Sequence, residues 1–382
     1  MRHYIGQLSL IHGWLPMLAQ VGTAAVLSYA VYRRSRLIPV VAGLAVGAVL
    51  AAVAYWYLDA LGVAGVQPPS GVVTPVTIPA DTSGFRHRTE LVYLPPAWFG
   101  HNPAPRLPAV LMIGSALNTP ADWIWAGHAT QAADDFAAGH GGYAPVLVFA
   151  DATGAFNNDT ECVNGRRGNA ADHLVKDVVP YVTSNFRVGD DRSQWGVAGW
   201  SMGGTCALDL TVMHPETFSA FVDIAGDASP NTGDQKHTIA TLFGGDEAAW
   251  SRFDPATVIN HHGRYGSLAG WFDIPGGMKH RLLTAAGIGS VSDGPHDGIA
   301  NPEGQDIAAN ALCGLASAHG IRCAVSAQPG RHDWPFAAQA FDAALPWLAG
   351  RLSVPQAARI PLPGLTPEPS TSVASSVRAA GS

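Results

Sequence analysis

Short, wholly apolar runs alternate with longer amphipathic ones over most of this chain. Ala109–Ile113, Pro145–Ala150 and Trp195–Ala198 are continuous apolar runs closed by Gly or Asp or by a Gly-containing turn, and Phe218–Ala225 is a mostly apolar run interrupted by Ser219 and Asp223 and ending at Gly226-Asp227. Runs of that length without polar alternation are what strands buried on both faces look like. Arg281–Ala286 and Arg322–Ala327 read as two more. Gly71–Pro79 and Thr89–Leu94 cluster β-branched residues and read as opening antiparallel strands. Helices are predicted over Ala121–Ala138, Asn169–Phe186, Thr205–Met213, Gln305–His319 and Phe336–Leu352. In the second of these, Leu174, Val175, Val178, Val182 and Phe186 share one face, and Asn169 can cap its start. Asp151–Arg167 reads as a long polar loop, and Ala228–Met278 as an irregular insertion of loops over a site. Strands alternating with helices predict a mostly parallel sheet covered on both faces.

Two segments depart from this pattern. Ile11–Tyr32 and Leu37–Leu58 carry no Asp, Glu, Lys or Arg. At about 1.5 Å per residue each is long enough to cross a hydrocarbon core of roughly 30 Å. Arg33, Arg34 and Arg36 lie between them and should stay cytoplasmic, which places the rest of the chain outside. Trp14 and Tyr55-Trp56-Tyr57 then fall at one outer interface. Gly43 and Gly47, on one helix face, would let the two helices approach closely. The expected organisation is a transmembrane hairpin over 1–63, a linker over 64–70, a catalytic domain over 71–352 and a disordered Pro/Ala/Ser-rich tail over 353–382.

Composition agrees with a membrane attachment, since charged residues are only 13% and hydrophobic ones 47%. A net charge of −7 offers no electrostatic footprint for nucleic acid. The four cysteines, an even number in a domain placed outside the cytosol, predict disulfides. Cys313 and Cys323, on a helix and the strand after it, are the first expected pair; Cys162 with Cys206 is the second.

Chemistry concentrates at Gly199-Trp200-Ser201-Met202-Gly203-Gly204, between a predicted strand and a predicted helix. That context turns Gly-x-Ser-x-Gly into a nucleophile elbow, where glycines remove side chains that would clash across a tight turn. A serine hydroxyl needs a base and a group that orients the base. The base should follow the last strand, and His332 in Gly330-Arg331-His332-Asp333-Trp334 does. The acid should follow the strand before it. Asp293 is the first carboxylate after Arg281–Ala286, with Asp297 its competitor. Oxyanion donors are expected from the Met202 amide and from Ser115 in the loop after Ala109–Ile113. Arg166-Arg167 are expected to be solvated or locally paired, with a substrate anion as the alternative. His261-His262 has no accompanying ligand set, and neither metal nor cofactor is expected.

The elbow, the Gly-Arg-His-Asp-Trp loop and the strand order resemble the esterase D family of α/β-hydrolases, which includes the mycolyltransferases that acylate trehalose. The resemblance covers residues 71–352. It implies an α/β-hydrolase fold with a mostly parallel sheet, here preceded by the two-helix transmembrane hairpin. It also implies Ser201, Asp293 and His332 as triad and Ser115 and Met202 as oxyanion donors. Mycolyltransferases carry Asp-Gly-Leu-Arg in the first oxyanion loop and Glu as the triad acid. This chain reads Ile113-Gly114-Ser115-Ala116 and Asp293 instead. The expected activity is therefore hydrolysis of a carboxylic ester, of a lipid or the cell envelope, outside the membrane. Acyl transfer to a sugar or lipid hydroxyl is the alternative. A non-catalytic envelope-binding module is a third reading, against which the complete triad argues.

Overall fold

The computed structural model describes residues 67–276 and 304–365, with the backbone of 283–284. The expected hairpin, Asp293 and Asp297 lie outside the described residues. Among the described residues no helix is long and apolar enough to cross a membrane.

The strands are β1 (Val72–Val76), β2 (Glu90–Leu94), β3 (Ala109–Ile113), β4 (Val146–Phe149), β5 (Asn164–Gly165), β6 (Gly168–Asn169), β7 (Trp195–Trp200), β8 (Ala220–Ile224), β9 (Ala269–Pro275), β10 (Leu283–Thr284) and β11 (Arg322–Gln328). Nine of them form one sheet in the order β1-β2-β4-β3-β7-β8-β9-β11-β10. β4, β3, β7, β8, β9 and β11 run parallel; β1, β2 and β10 are antiparallel at the edges.

The wholly apolar strands pack on both faces. In β3, Ala109, Leu111 and Ile113 face a core shared with Leu174, Val178, Cys206 and Leu312. Val110 and Met112 face the opposite core, with Ala133, Phe336 and Phe341. The first face is covered by α2 (residues 170–185), α3 (Met202–Met213) and α7 (Gln305–Ala318), the second by α1 (Ala129–Ala138) and α8 (Trp334–Arg351). In α2, Ala170–Asp172 and Val179–Asn185 flank a π-helical turn, His173–Val178.

Several expectations change. The helix over Ala121–Ala138 breaks into a single turn, Asp122–Trp125, and α1. Gly127 sits in the break, where a Cβ would press on Trp123 and Trp334. Within the region expected to be irregular, residues 228–276 contain α4 (Gln235–Phe243), α5 (Glu247–Ser251), α6 (Pro255–His262) and β9. Asp234, Asp246 and Asp254 each cap one of these helices through the side chain. β9 is hidden in sequence because Gly270, Asp273 and Pro275 interrupt its apolar run. Of the strand expected over Arg281–Ala286, Leu283–Thr284 is described and forms β10, antiparallel to β11 at the sheet edge. Residues 353–365, expected as the start of the tail, form turns and coil that dock on the domain, with Val354 and Leu362 buried. Residues 366–382 lie outside the described residues.

Both expected disulfides form, Cys162–Cys206 and Cys313–Cys323. The first closes 44 residues of sequence and ties the loop after β4 to α3. Chain entropy assigns a loop of that size about 4 kcal/mol. Replacing both cysteines with alanine is expected to cost stability on that order, read as a lower unfolding free energy in urea with a larger m-value, because the unfolded chain is then less compact.

Candidate active site

The sheet order reverses at β3: the chain passes from β3 outward to β4, then returns to β7 on the other side. Ligands of open α/β sheets bind outside the carboxyl ends of the strands at such a point. Ser201 stands there, between β7 and α3. Its backbone is at φ 57° and ψ −121°, a region an L-residue occupies only under constraint. Its N–H donates to Ile224 O, and its carbonyl accepts from Gly204 and Thr205. A Cβ on Gly199 would run into the Gly203 carbonyl, and one on Gly203 into the Ile113 carbonyl. Either Gly→Ala change is expected to leave little folded enzyme, measured as soluble yield and thermal midpoint.

Ser201 Oγ and His332 Nε2 are 3.0 Å apart. Asp333 caps α8 by accepting from the Phe336 amide, and this fixes the end of the histidine loop. Trp200 lies against the imidazole at 4.3 Å between centroids, with Trp334 and Phe336 behind it. The aromatic side chains around the elbow therefore hold the histidine against the serine.

Met202 opens α3, so its N–H has no acceptor within the helix. Ser115 lies in the expected loop, and both residues line a small cleft with Gly114, Asn118, Asp151 and Thr153. The Ser115 amide, however, donates to Asn118 Oδ1 at 2.9 Å. A developing oxyanion would have to displace that side chain to use it. The sequence reading missed the brace behind this loop. Arg88 donates to both oxygens of Asp151, to Thr153 Oγ1 and to the Asn118 carbonyl. These bonds hold the Asp151 carboxyl below its usual range against the opposing effect of burial. Nothing in residue spacing marks Arg88, because its partners come from loops 30 and 63 residues away.

Two buried acids lie on the next two strands of the sheet, β8 and β9. Burial pushes Asp223, at the end of β8, and Asp273, in β9, up to about 7. A carboxyl raised above its unfolded value of 3.8 binds its proton more tightly when folded. Stability from each is therefore full below the unfolded value and lost as pH rises toward about 7. Asp223 Oδ1 accepts from the Gly226 amide, a bond asparagine can keep. Asp223→Asn is expected to stabilise the protein at pH 8 by on the order of a few kcal/mol and to do little at pH 4, measured by denaturation at both.

Arg167 is paired locally, with Asp159 Oδ2 at 4.0 Å and the Asp159 carbonyl. The Arg166 amide bonds Leu242 O. His262 stacks on Tyr265 at 3.9 Å.

The family model named Esterase matches residues 85–274. An uncharacterized protein of Corynebacterium glutamicum is 36% identical over 179 residues, 47% of this chain and 42% of that protein. An S-formylglutathione hydrolase of Paracoccus denitrificans is 34% identical over 100 residues, 25% of this chain and 34% of that protein. The chain thus spans less than half the length of these curated relatives. Among solved structures, an S-formylglutathione hydrolase from Agrobacterium tumefaciens superposes with a TM-score of 0.56 at 16% identity, over 75% of this chain and 97% of that one. A fluorophosphonate-binding serine hydrolase of Staphylococcus aureus gives 0.54 at 13%, over 73% and 98%. At such identities the superpositions speak for the fold.

Proposed function

We propose that this chain, which belongs to the esterase D-like family of α/β-hydrolases and is a serine esterase, is anchored to the membrane and cleaves a lipid or envelope ester outside it. The observation that carries the chemistry is the 3.0 Å contact of Ser201 Oγ with His332 Nε2 on a strained elbow. Ser201 attacks the ester carbonyl as His332 Nε2 takes its proton. The carbonyl oxygen becomes an oxyanion at the N-terminus of α3, near the Met202 amide. The tetrahedral intermediate collapses to an acyl-enzyme, and the alcohol leaves with the proton from His332. Water, deprotonated by His332, then releases the acid and restores Ser201. Asp293 orients His332 in this scheme.

The two disulfides support an oxidising compartment outside the cytosol. The uncharged runs before residue 64 support the anchor. An apolar acyl group is supported by Leu117, Trp125 and Phe156, which are 57%, 77% and 65% exposed. All three stand on segments after β3 or β4, at the sheet edge that carries Ser201. Exposed large apolar side chains gathered at one edge mark a surface for an apolar partner.

The test is hydrolysis of short and long p-nitrophenyl esters by the full chain in detergent, with and without a sugar acceptor. Preference for long acyl chains, with release of free acid unaffected by the acceptor, is expected. Acyl-sugar as the main product would replace hydrolysis by transfer, and preference for acetyl esters would remove the lipid substrate.

A further inference from the structure

Away from Ser201, three side chains that can ligate metal meet under the loop between β1 and β2. His87 ends that loop, Glu90 opens β2, and His173 lies in the π-helical turn of α2. The side chains of Glu90 and His173 are fully buried and that of His87 is 8% exposed. One ligand atom from each falls within 4.8 Å of the others. His173 Nε2 is 3.1 Å from Glu90 Oε1, and His87 Nδ1 is 3.7 Å from Glu90 Oε2. Glu90 Oε1 also accepts from the Asp151 amide, but Oε2 is buried with no hydrogen-bond partner and is turned toward His87. An orphaned carboxylate oxygen in such a place calls for an explanation.

The far nitrogens of both rings are braced. His87 Nε2 lies 2.8 Å from the Ile78 carbonyl. His173 Nδ1 lies 3.4 Å from Asp177 Oδ2, and the Asp177 carboxylate is itself held by the Thr82 and Ser83 amides. Ligating histidines are held in this way: the far N–H donates to a carbonyl or carboxylate and turns the other nitrogen's lone pair to the ion. Without an ion the near nitrogens also face oxygens, because His87 Nδ1 is 2.8 Å from the Arg88 carbonyl. The two ring centroids are only 4.3 Å apart in a stacked, buried arrangement. A divalent cation between the rings and Glu90 would supply the partner that Glu90 Oε2 lacks.

We infer that His87, Glu90 and His173 form a binding site for a zinc-like divalent cation. Two imidazoles and one carboxylate suit zinc and not calcium or magnesium, which take oxygen donors. Zinc–ligand distances of about 2.0–2.2 Å require His87 Nδ1 to rotate off the Arg88 carbonyl toward Glu90. The ion would join the β1–β2 loop, β2 and α2. Through the Glu90–Asp151 bond it would steady the loop behind Asn118 without touching the ester.

The experiment is calorimetric titration of the chelator-stripped full chain with zinc chloride. One zinc per chain and a higher thermal midpoint are expected. Affinity should fall about 100-fold or more in His173→Gln and Glu90→Gln and stay unchanged in a His261→Ala/His262→Ala control. If a variant fails to fold, cobalt(II) added to the wild type reads the site directly, through visible absorption of a four- or five-coordinate nitrogen/oxygen set. Absence of stoichiometric zinc binding by the folded wild type would overturn the assignment. So would zinc binding at full strength in His173→Gln.

Discussion

Ser201→Ala is expected to lower kcat/KM for a p-nitrophenyl ester by about 10⁴-fold or more while leaving the thermal midpoint nearly unchanged. The size follows from the role. Without Oγ no acyl-enzyme forms, and only binding and the oxyanion donors remain to assist water. The fold should tolerate the change, because the elbow is held by Ser201's backbone bonds to Ile224, Gly204 and Thr205 and not by its side chain. Alanine at φ 57° is no worse placed than serine. A variant within tenfold of wild type would mean that Oγ does not attack, whatever its distance to His332.

The second large effect separates two aspartates. Asp293→Asn is expected to lower kcat by about 10⁴-fold, and Asp297→Asn by less than about tenfold. An asparagine at the orienting position presents an N–H where the imidazole needs an acceptor, which favours the wrong tautomer. His332 Nε2 must be free of its proton to take one from Ser201, so the tautomer decides the rate. The loss should appear in kcat more than in KM and should ease as pH rises. The opposite ranking of the two variants would move the orienting role to Asp297. Equal, small losses from both would remove the acid from this loop altogether.

The apolar strands were legible because burial on both faces leaves a continuous signal: β3, β4, β7 and β8 lie within their predicted runs or extend them by two residues at most. The elbow and His332 were legible for another reason. The turn demands glycine at Gly199 and Gly203, and the base must follow the last strand, so position alone points to both. β9 was not, because Gly270, Asp273 and Pro275 together break its run, and Asp273 is accommodated only in the folded protein, by Trp271 and Gln328. The break before α1 was hidden likewise, since Gly127 is needed there for two tryptophans distant in sequence from each other. Arg88, Asn118 and Asp151 act through contacts between loops, which no local pattern records. The engagement of Ser115 by Asn118 escaped for a different reason. It is a hydrogen bond within one turn, and only coordinates distinguish it from an amide left open to substrate.

The most direct measurement is to treat the full chain with a fluorophosphonate probe and map the adduct by peptide mass spectrometry. The expected result is one adduct per chain, on Ser201, formed in step with the loss of esterase activity and absent from Ser201→Ala and strongly slowed in His332→Ala. An adduct on another residue, or full esterase activity in a chain whose Ser201 is completely modified, would contradict Ser201 as the nucleophile.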